Sequence, residues 1–228
     1  NSLVGSTAGD RVGSNFTLVS NGSIYMISPN WNGNRGAVTW LSGTAPTVGE
    51  VSVLNSLVGS QAGDKVGSGG IYTDTFGNTA HARTFNAFIL SPEWSNGAIA
   101  NVGAATFALG GQPITGVVST ANSLVGVTAG DRIGSSGINT GVPGTVYLLS
   151  PNYDRGGLQN VGAITPLKWE NGETLDVGHF VSTGNSIVGN VANAALSYSG
   201  EFFYNDDPAT VRFLVKGAGN QLTVGFTQ

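Results

Sequence analysis

Short apolar segments alternate with clusters of Gly, Asn, Ser and Pro along this chain of 228 residues. The apolar segments are rich in β-branched and aromatic side chains, which is typical of strands separated by turns. Two of them, Phe16–Val19 and Ser23–Ile27, flank Ser20-Asn21-Gly22. Because Asn-Gly readily adopts the positive φ angles of a tight turn, the pattern predicts an antiparallel hairpin here.

A second pair of strands is predicted at Ala37–Leu41 and Val51–Leu54, joined by a loop around Thr44–Gly49. No segment sustains apolar residues at helical spacing, and Gly is too frequent for long helices. Each stretch of ~60 residues is therefore predicted to form about four antiparallel strands, with almost no helix.

The phrase Asn-Ser-Leu-Val-Gly, or Asn-Ser-Ile-Val-Gly, recurs at spacings of 54, 67 and 63 residues. Its copies begin at Asn1, Asn55, Asn122 and Asn185. A repeat of this length is one supersecondary unit copied along the chain. Residues that the copies share are therefore expected to build the scaffold, and a localised function is expected where the copies differ.

A second phrase, Ala-Gly-Asp-Arg/Lys-Val/Ile-Gly, places an Asp in three successive turns, at Asp10, Asp64 and Asp131. A carboxylate in such a turn can accept hydrogen bonds from backbone N–H groups, so these residues are interpreted as structural turn residues. Calcium coordination is the alternative. It is disfavoured because calcium loops carry several oxygen ligands at alternate positions, a density that this phrase lacks.

A third phrase, Ser-Pro-x-Trp/Tyr, ends a strand and places Trp31, Trp94 and Tyr153 at equivalent positions. Packing between neighbouring units is the favoured role of these rings. The alternative is a repeated glycan site, in which each ring stacks on a sugar while nearby polar residues bind its hydroxyls. The polar neighbours would be Asn32, Asn96 and Asp154.

A fourth phrase, Gly-Ala before an apolar strand, sets the unit boundaries. We expect one repeat domain over residues 1–228, made of a half unit (1–35), two full units (36–102 and 103–161), a degenerate capping unit (162–217) and a C-terminal strand (218–228). In the capping unit Ala194 replaces the turn Asp. The predicted fold is all-β and propeller-like, with an open β-solenoid of stacked units as the alternative.

The C-terminal strand, with Leu222, Val224 and Phe226, is interpreted as an assembly strand. It is expected to pair beside the N-terminal half unit. Within one chain this pairing would close a ring, and between chains it would link copies into a fibre.

Composition narrows the function classes. Charged residues make up 10% of the chain, the net charge is −4 and Cys is absent. These features favour an exported protein. The sequence shows no cluster of basic residues that would bind nucleic acid. No apolar run is long enough for a membrane helix, so no membrane insertion is expected. Since the chain starts at Asn1 without a signal peptide, a processed product or a fragment is expected.

No catalytic constellation is apparent. His81 and His179 stand alone, and the acidic pair Asp206-Asp207 is interpreted as an ordinary turn. No nucleophile elbow, phosphate loop or dinucleotide fingerprint occurs. The sequence therefore predicts a protein that is not an enzyme and needs no cofactor.

The phrases Asn-Ser-Leu-Val-Gly-Ser-x-Ala-Gly-Asp-x-Val-Gly-Ser and Ser-Pro-x-Trp-x-Asn-Gly resemble tandem repeats of very large secreted bacterial surface proteins of the haemagglutinin or adhesin type. The Gly-Asp-x-Val-Gly turn also resembles the blade motif of integrin-type β-propellers, without its calcium loop. The resemblance covers roughly residues 1–165. It implies a surface-exposed, non-enzymatic repeat region.

The function expected from these observations is structural or adhesive. The protein would lie outside the cell, at the surface or in the matrix, and form a stalk, matrix or fibre through strand complementation between copies. Its partners would be other copies of itself or surface glycans and proteins. A repeat lectin using the Trp and Tyr positions is the alternative.

Overall fold

A computed structural model of the chain describes residues 2–19, 22–73, 86–110, 112–142, 145–168 and 179–196. It also gives the backbone of three strands at 202–204, 211–216 and 222–227. His81, Asp206 and Asp207 lie outside the described residues.

Eighteen strands and one helical turn are assigned in the described parts of the chain. In chain order they are β1 (Leu3–Val4), β2 (Asn15–Leu18), β3 (Ile24–Ser28), α1 (Trp31–Asn34), β4 (Ala37–Leu41), β5 (Gly49–Glu50), β6 (Ser56–Val58), β7 (Gly70–Thr73), β8 (Ala87–Ser91), β9 (Ala104–Ala108), β10 (Gly116–Val117), β11 (Ser123–Val125), β12 (Ile138–Val142), β13 (Thr145–Ser150), β14 (Ala163–Lys168), β15 (Ile187–Val188), β16 (Phe202–Tyr204), β17 (Val211–Lys216) and β18 (Leu222–Thr227).

Fifteen of these strands form four successive antiparallel sheets, numbered first to fourth along the chain. In hydrogen-bonded order they are β2-β3-β4-β6, β7-β8-β9-β11, β12-β13-β14-β15 and β16-β17-β18. The prediction of an all-β fold built from tandem four-stranded antiparallel units is therefore confirmed. The first three sheets begin at Asn15, Gly70 and Ile138. Each hydrogen-bonded sheet is therefore displaced by about half a unit from the predicted unit boundaries.

The predicted hairpin is present, because β2 and β3 pair antiparallel with Phe16 opposite Met26 and Thr17 opposite Tyr25. The second predicted pair is wrong in one member. Strand β4 pairs with β6, which is the repeated Asn-Ser-Leu-Val phrase itself, and not with Val51–Leu54. The physical reason is burial: β6 places Leu57 in the core, whereas Leu54 is 86% exposed.

Short parallel strands join each unit to the one before it. The segment that precedes each repeated phrase, here called the linking strand, pairs parallel with the phrase strand of the preceding unit. Thus β5 pairs with β1, and β10 pairs with β6. The same relation recurs as an isolated parallel bridge between Val125 and Phe180.

The first three sheets pack face to face in succession. Tyr25, Ile27 and Val38 of the first sheet share one buried cluster with Ile89 and Ala104 of the second. The other face of the second sheet, with Phe88 and Leu90, packs against Val146 and Leu148 of the third. Both faces of the second sheet are therefore buried, which explains why β8 is apolar almost throughout and buried at every position.

Candidate functional site

The Asp of each repeated turn is buried and accepts hydrogen bonds on both carboxylate oxygens. For Asp64, the backbone N–H groups of Ser60 and Gln61 donate to Oδ2 at 2.8 and 3.0 Å. The backbone N–H of Ser95, in the turn after β8 of the second sheet, donates to Oδ1 at 3.0 Å. One side chain therefore holds its own loop, which follows β6 of the first sheet, and links it to the next sheet.

The same arrangement recurs at the other two turns. Asp10 accepts from the backbone of Thr7 in its own loop and of Asn32 in the turn after β3. Asp131 accepts from the backbone of Thr128 and of Asp154. These carboxylates lie in hydrogen bonds with N–H donors, which is the environment that the structural interpretation requires.

The electrostatic environment of these carboxylates differs between the units. Burial alone would raise the pKa of Asp10, but hydrogen bonds from the side chain and backbone of Thr7 and the backbone of Asn32 and Ser6 outweigh it and lower the pKa to about 2. At Asp131 burial outweighs the hydrogen bonds and raises the pKa, and the nearby charge of Asp154 adds to this effect.

Among the described residues, no group of three or more His, Cys, Asp or Glu side chains could hold a metal ion.

The three aromatic rings that were the alternative glycan site in the sequence analysis are buried. Trp31, Trp94 and Tyr153 are only 6, 2 and 6% exposed. Trp94 packs in the cluster between the first and second sheets, and Tyr153 in the cluster between the second and third. A ring enclosed in this way cannot stack on a sugar that arrives from solvent, so these three rings lie in the scaffold.

A groove of about 510 Å³ lies beside Trp31 and is lined in part by Arg35, Glu50 and Val53. The Trp31 indole N–H is buried and has no hydrogen-bond partner in the described structure. The indole N–H of Trp94, far inside the stack, is in the same state. The unpartnered donor is thus a feature of the repeat and does not single out the groove as a binding site.

The polar residues beside the rings serve the backbone. Asn32 has a positive φ of 48° and donates its N–H to Asp10. Asn96 pairs with Ile99 in a tight antiparallel bridge, and the Asp154 carboxylate accepts the N–H of Asn160 at 2.7 Å. The structure therefore places all three in turns that join strands.

The Asn of the repeated phrase closes the turn between the linking strand and the phrase strand. The Nδ2 of Asn55 donates to the Glu50 carbonyl at 2.8 Å, and its Oδ1 accepts from the N–H of Ser52 at 2.9 Å. Asn122 and Asn185 make the same two contacts in later units. The sequence signalled these residues by their recurrence but did not assign them a role.

The Ser of the same phrase makes a hydrogen bond across its sheet. Its hydroxyl lies 2.7 Å from a Thr hydroxyl on the neighbouring strand, in the pairs Thr39–Ser56, Thr106–Ser123 and Thr165–Ser186. Sequence reasoning missed this pair because the two residues are 17 to 21 positions apart and only the strand register brings them together.

The outer face of the first sheet, here called the head face, is not covered by a sheet of this chain in the described residues. Phe16 and Leu18 lie on it and are 59 and 66% exposed. In the second sheet the register equivalent of Phe16 is Ile71, which is 9% exposed because the first sheet covers it. At Phe16 the head face therefore has the apolar residue of an internal interface without a covering sheet in the described structure.

Strand β1 is a phrase strand without a sheet of its own. In the first sheet, β6 pairs antiparallel with β4 on one edge and parallel with β10 on the other. Strand β1 makes only the second type of pair, with β5. Its Val4 is 50% exposed, whereas the equivalent Val58 is buried.

The fourth sheet shows the complementary arrangement. It has three strands, with β18 paired to β17 on one edge and no partner described on the other. In the three preceding sheets that position is taken by β6, β11 and β15. The predicted assembly residues Leu222, Val224 and Phe226 all lie in β18.

A family described as a repeat of unknown function (DUF5650) matches residues 1–14, 18–68, 86–135 and 144–198. No curated protein matches the chain. No helix of the described residues is both long and apolar enough to cross a membrane.

Proposed function

This chain belongs to the DUF5650 family of repeats of unknown function, and we propose that it is a structural module. In this proposal it assembles end to end with other copies of itself. In this proposal the repeats form an open stack of sheets, and the stack continues across the junction between two copies. The module is not an enzyme, and its task is to extend a fibre, stalk or matrix.

The observation that carries the proposal is the complementarity of the two ends. Among the described residues, β1 is a phrase strand that pairs only with β5, and the fourth sheet has three strands with no phrase strand beside β18. A free strand edge is a template for pairing with another chain, and strand addition of this kind is a common mode of assembly. Because the two surfaces differ, the contact is head to tail and can repeat without limit.

The use of the repeated residues supports the same proposal. The recurring Asp, Asn and Ser side chains hold turns and join neighbouring strands and sheets, and the recurring rings are buried. These residues serve scaffold contacts, and in the described structure the strand edges left without their repeat contact are those of β1 and β18.

We also propose that the assembly lies outside the cell, at a surface or in a matrix. The low content of charged residues and the absence of Cys support this location, as does the likeness to repeats of large secreted surface proteins. Adhesion to other surface molecules would then be a property of the assembled fibre.

A charge on the head face tests the proposal. In Phe16→Asp the new carboxylate would be buried without a partner at the junction, because the equivalent Ile71 is buried between two sheets. We therefore expect the variant to stay a monomer of 23.2 kDa while the unchanged protein forms multiples of this mass. Light scattering and analytical centrifugation over a range of concentrations measure the masses. Since Phe16 is exposed in the single chain, the melting temperature of the variant should change little.

Leu54→Asp is the control, because Leu54 is also apolar and exposed but lies in the turn before β6 and not in β2. This variant should assemble like the unchanged protein. Unchanged protein that remains monomeric at all concentrations, or a Phe16→Asp variant that assembles normally, contradicts the proposal.

A further inference from the structure

We propose that β1 of one copy takes the fourth-strand position beside β18 of another copy, with Val4 opposite Leu222 and Leu3 opposite Thr223. This inference rests on the proposed function and gives its junction an atomic register. The partner is thus a second copy of this chain, and the surface is one defined strand edge.

The register follows from a rule that the three complete sheets share. In each sheet the first residue of the third strand has two partners. On one side it pairs with the last residue of the second strand, and on the other side with the Val of the phrase strand. In chain order these triplets are Ser28–Ala37–Val58, Ser91–Ala104–Val125 and Ser150–Ala163–Val188.

The fourth sheet supplies the first two members of such a triplet. Lys216 is the last residue of β17, and it pairs with Leu222, the first residue of β18. The missing third member is a Val in an Asn-Ser-Leu-Val phrase. Val4 occupies that position in β1.

The edge of β1 that this pairing needs is available in the described structure. The parallel contact with β5 uses the edge equivalent to the one that β6 offers to β10. The opposite edge, which β6 gives to β4, has no partner among the described residues for β1. Docking would therefore add an antiparallel pair without displacing an existing one.

Docking along this register also brings a sheet over the head face. In the complete units the phrase strand and the sheet that follows it are held together by the linking strand. Here β1 is already joined to the first sheet through β5. A three-stranded sheet added to β1 would therefore be placed next to the head face, where Phe16 and Leu18 are exposed.

Cysteine cross-linking tests the register, and the chain is suited to it because it contains no Cys. The double variant Val4→Cys/Leu222→Cys places two thiols at directly opposed positions, within reach of a disulfide. After mild oxidation we expect a ladder of covalently linked copies on a non-reducing gel. A mixture of the two single variants should give a mixed dimer, identified by a size tag on one of them.

The register control is Val4→Cys/Thr223→Cys. Because neighbouring residues of a strand point to opposite faces, this pair should cross-link at least tenfold more slowly. Ala104→Cys/Val125→Cys, which the second sheet already pairs within one chain, serves as the positive control for oxidation.

The outcomes separate the inference from the proposed function. A ladder specific for Val4 and Leu222 supports both. Multimers that form without this cross-link leave the proposed function standing and overturn the register. An internal disulfide in a monomer means that the chain closes on itself, and it overturns both. Absence of both multimers and cross-links also overturns both.

Discussion

The carboxylate of Asp10 accepts hydrogen bonds from Ser6 and Thr7 on one side and from Asn32 on the other. At the residue scale, this contact explains why an Asp recurs in a chain that has few charged residues. An ionised carboxylate offers several lone pairs to the N–H groups of two loops at once, and each bond to a charged group is stronger than a neutral one. Ala194 stands at this position in the last repeat, where the carboxylate link is therefore absent.

The pKa of Asp10 gives a prediction about pH. Its folded pKa of about 2 lies below the ordinary value of 3.8, so the ionised form stabilises the folded state above pH 3.8, and this contribution is lost as the pH falls towards 2. We expect Asp10→Asn to lower the free energy of unfolding by about 1.5–3 kcal/mol at pH 7. The difference from the unchanged protein should shrink below pH 4 and nearly vanish at pH 2.

Urea unfolding at several pH values measures this difference, with Glu50→Gln as a control at an exposed position. A difference that stays constant down to pH 2 would show that the charge of Asp10 is not the stabilising feature.

At the element scale, close backbone contacts set the spacing between the strands and the Asp turns. Gly103, at the start of β9, has a φ of 76°, and a Cβ built there would lie inside contact distance of the backbone of Arg132 and Ile133. Gly36 and Gly162 make the equivalent close approach in the neighbouring units. The glycine of the Gly-Ala phrase is therefore required by packing as well as by backbone conformation.

Two alanine substitutions separate these effects. Gly103→Ala should lower the free energy of unfolding by about 3–4 kcal/mol, because it combines a strained φ with a backbone collision. Gly130→Ala is the matched control: its φ is 90°, but the space around it is open, so a loss of about 1 kcal/mol is expected. Equal losses in denaturant unfolding would show that the close approach is unimportant.

At the scale of the whole molecule, the inferred junction lacks one contact that the complete sheets have. In the inferred register Ser2 comes opposite Val224, where the complete sheets pair Ser with Thr, as in Thr106–Ser123. The hydrogen bond between two hydroxyls is therefore missing at the junction. Copies should consequently separate more easily than the units within one chain, which are also covalently connected.

Val224→Thr should restore this hydrogen bond and strengthen assembly. We expect the dissociation constant between copies to fall about two- to fivefold, in line with the usual value of a cross-strand hydroxyl pair. Concentration-dependent sedimentation measures the change, and Val224→Ala serves as a control that should not tighten binding. If Val224→Thr weakens assembly, Ser2 does not lie opposite position 224.

The sequence by itself determined the strand-rich fold, the repeat and the separation of scaffold phrases from variable segments. These features follow from local chemistry: apolar segments, Asn and Gly in turns, and recurrence. It also located the Asp turns, whose bonds to their own loop are local.

Only the tertiary structure decided which strands are neighbours and which faces are covered. The pairing of β4 with β6, the link from Asp64 to Ser95 and the burial of Trp94 depend on contacts between distant residues. A buried scaffold ring and an exposed sugar-binding ring have the same local sequence. The packing of consecutive sheets distinguishes them, because it removes the ring from water.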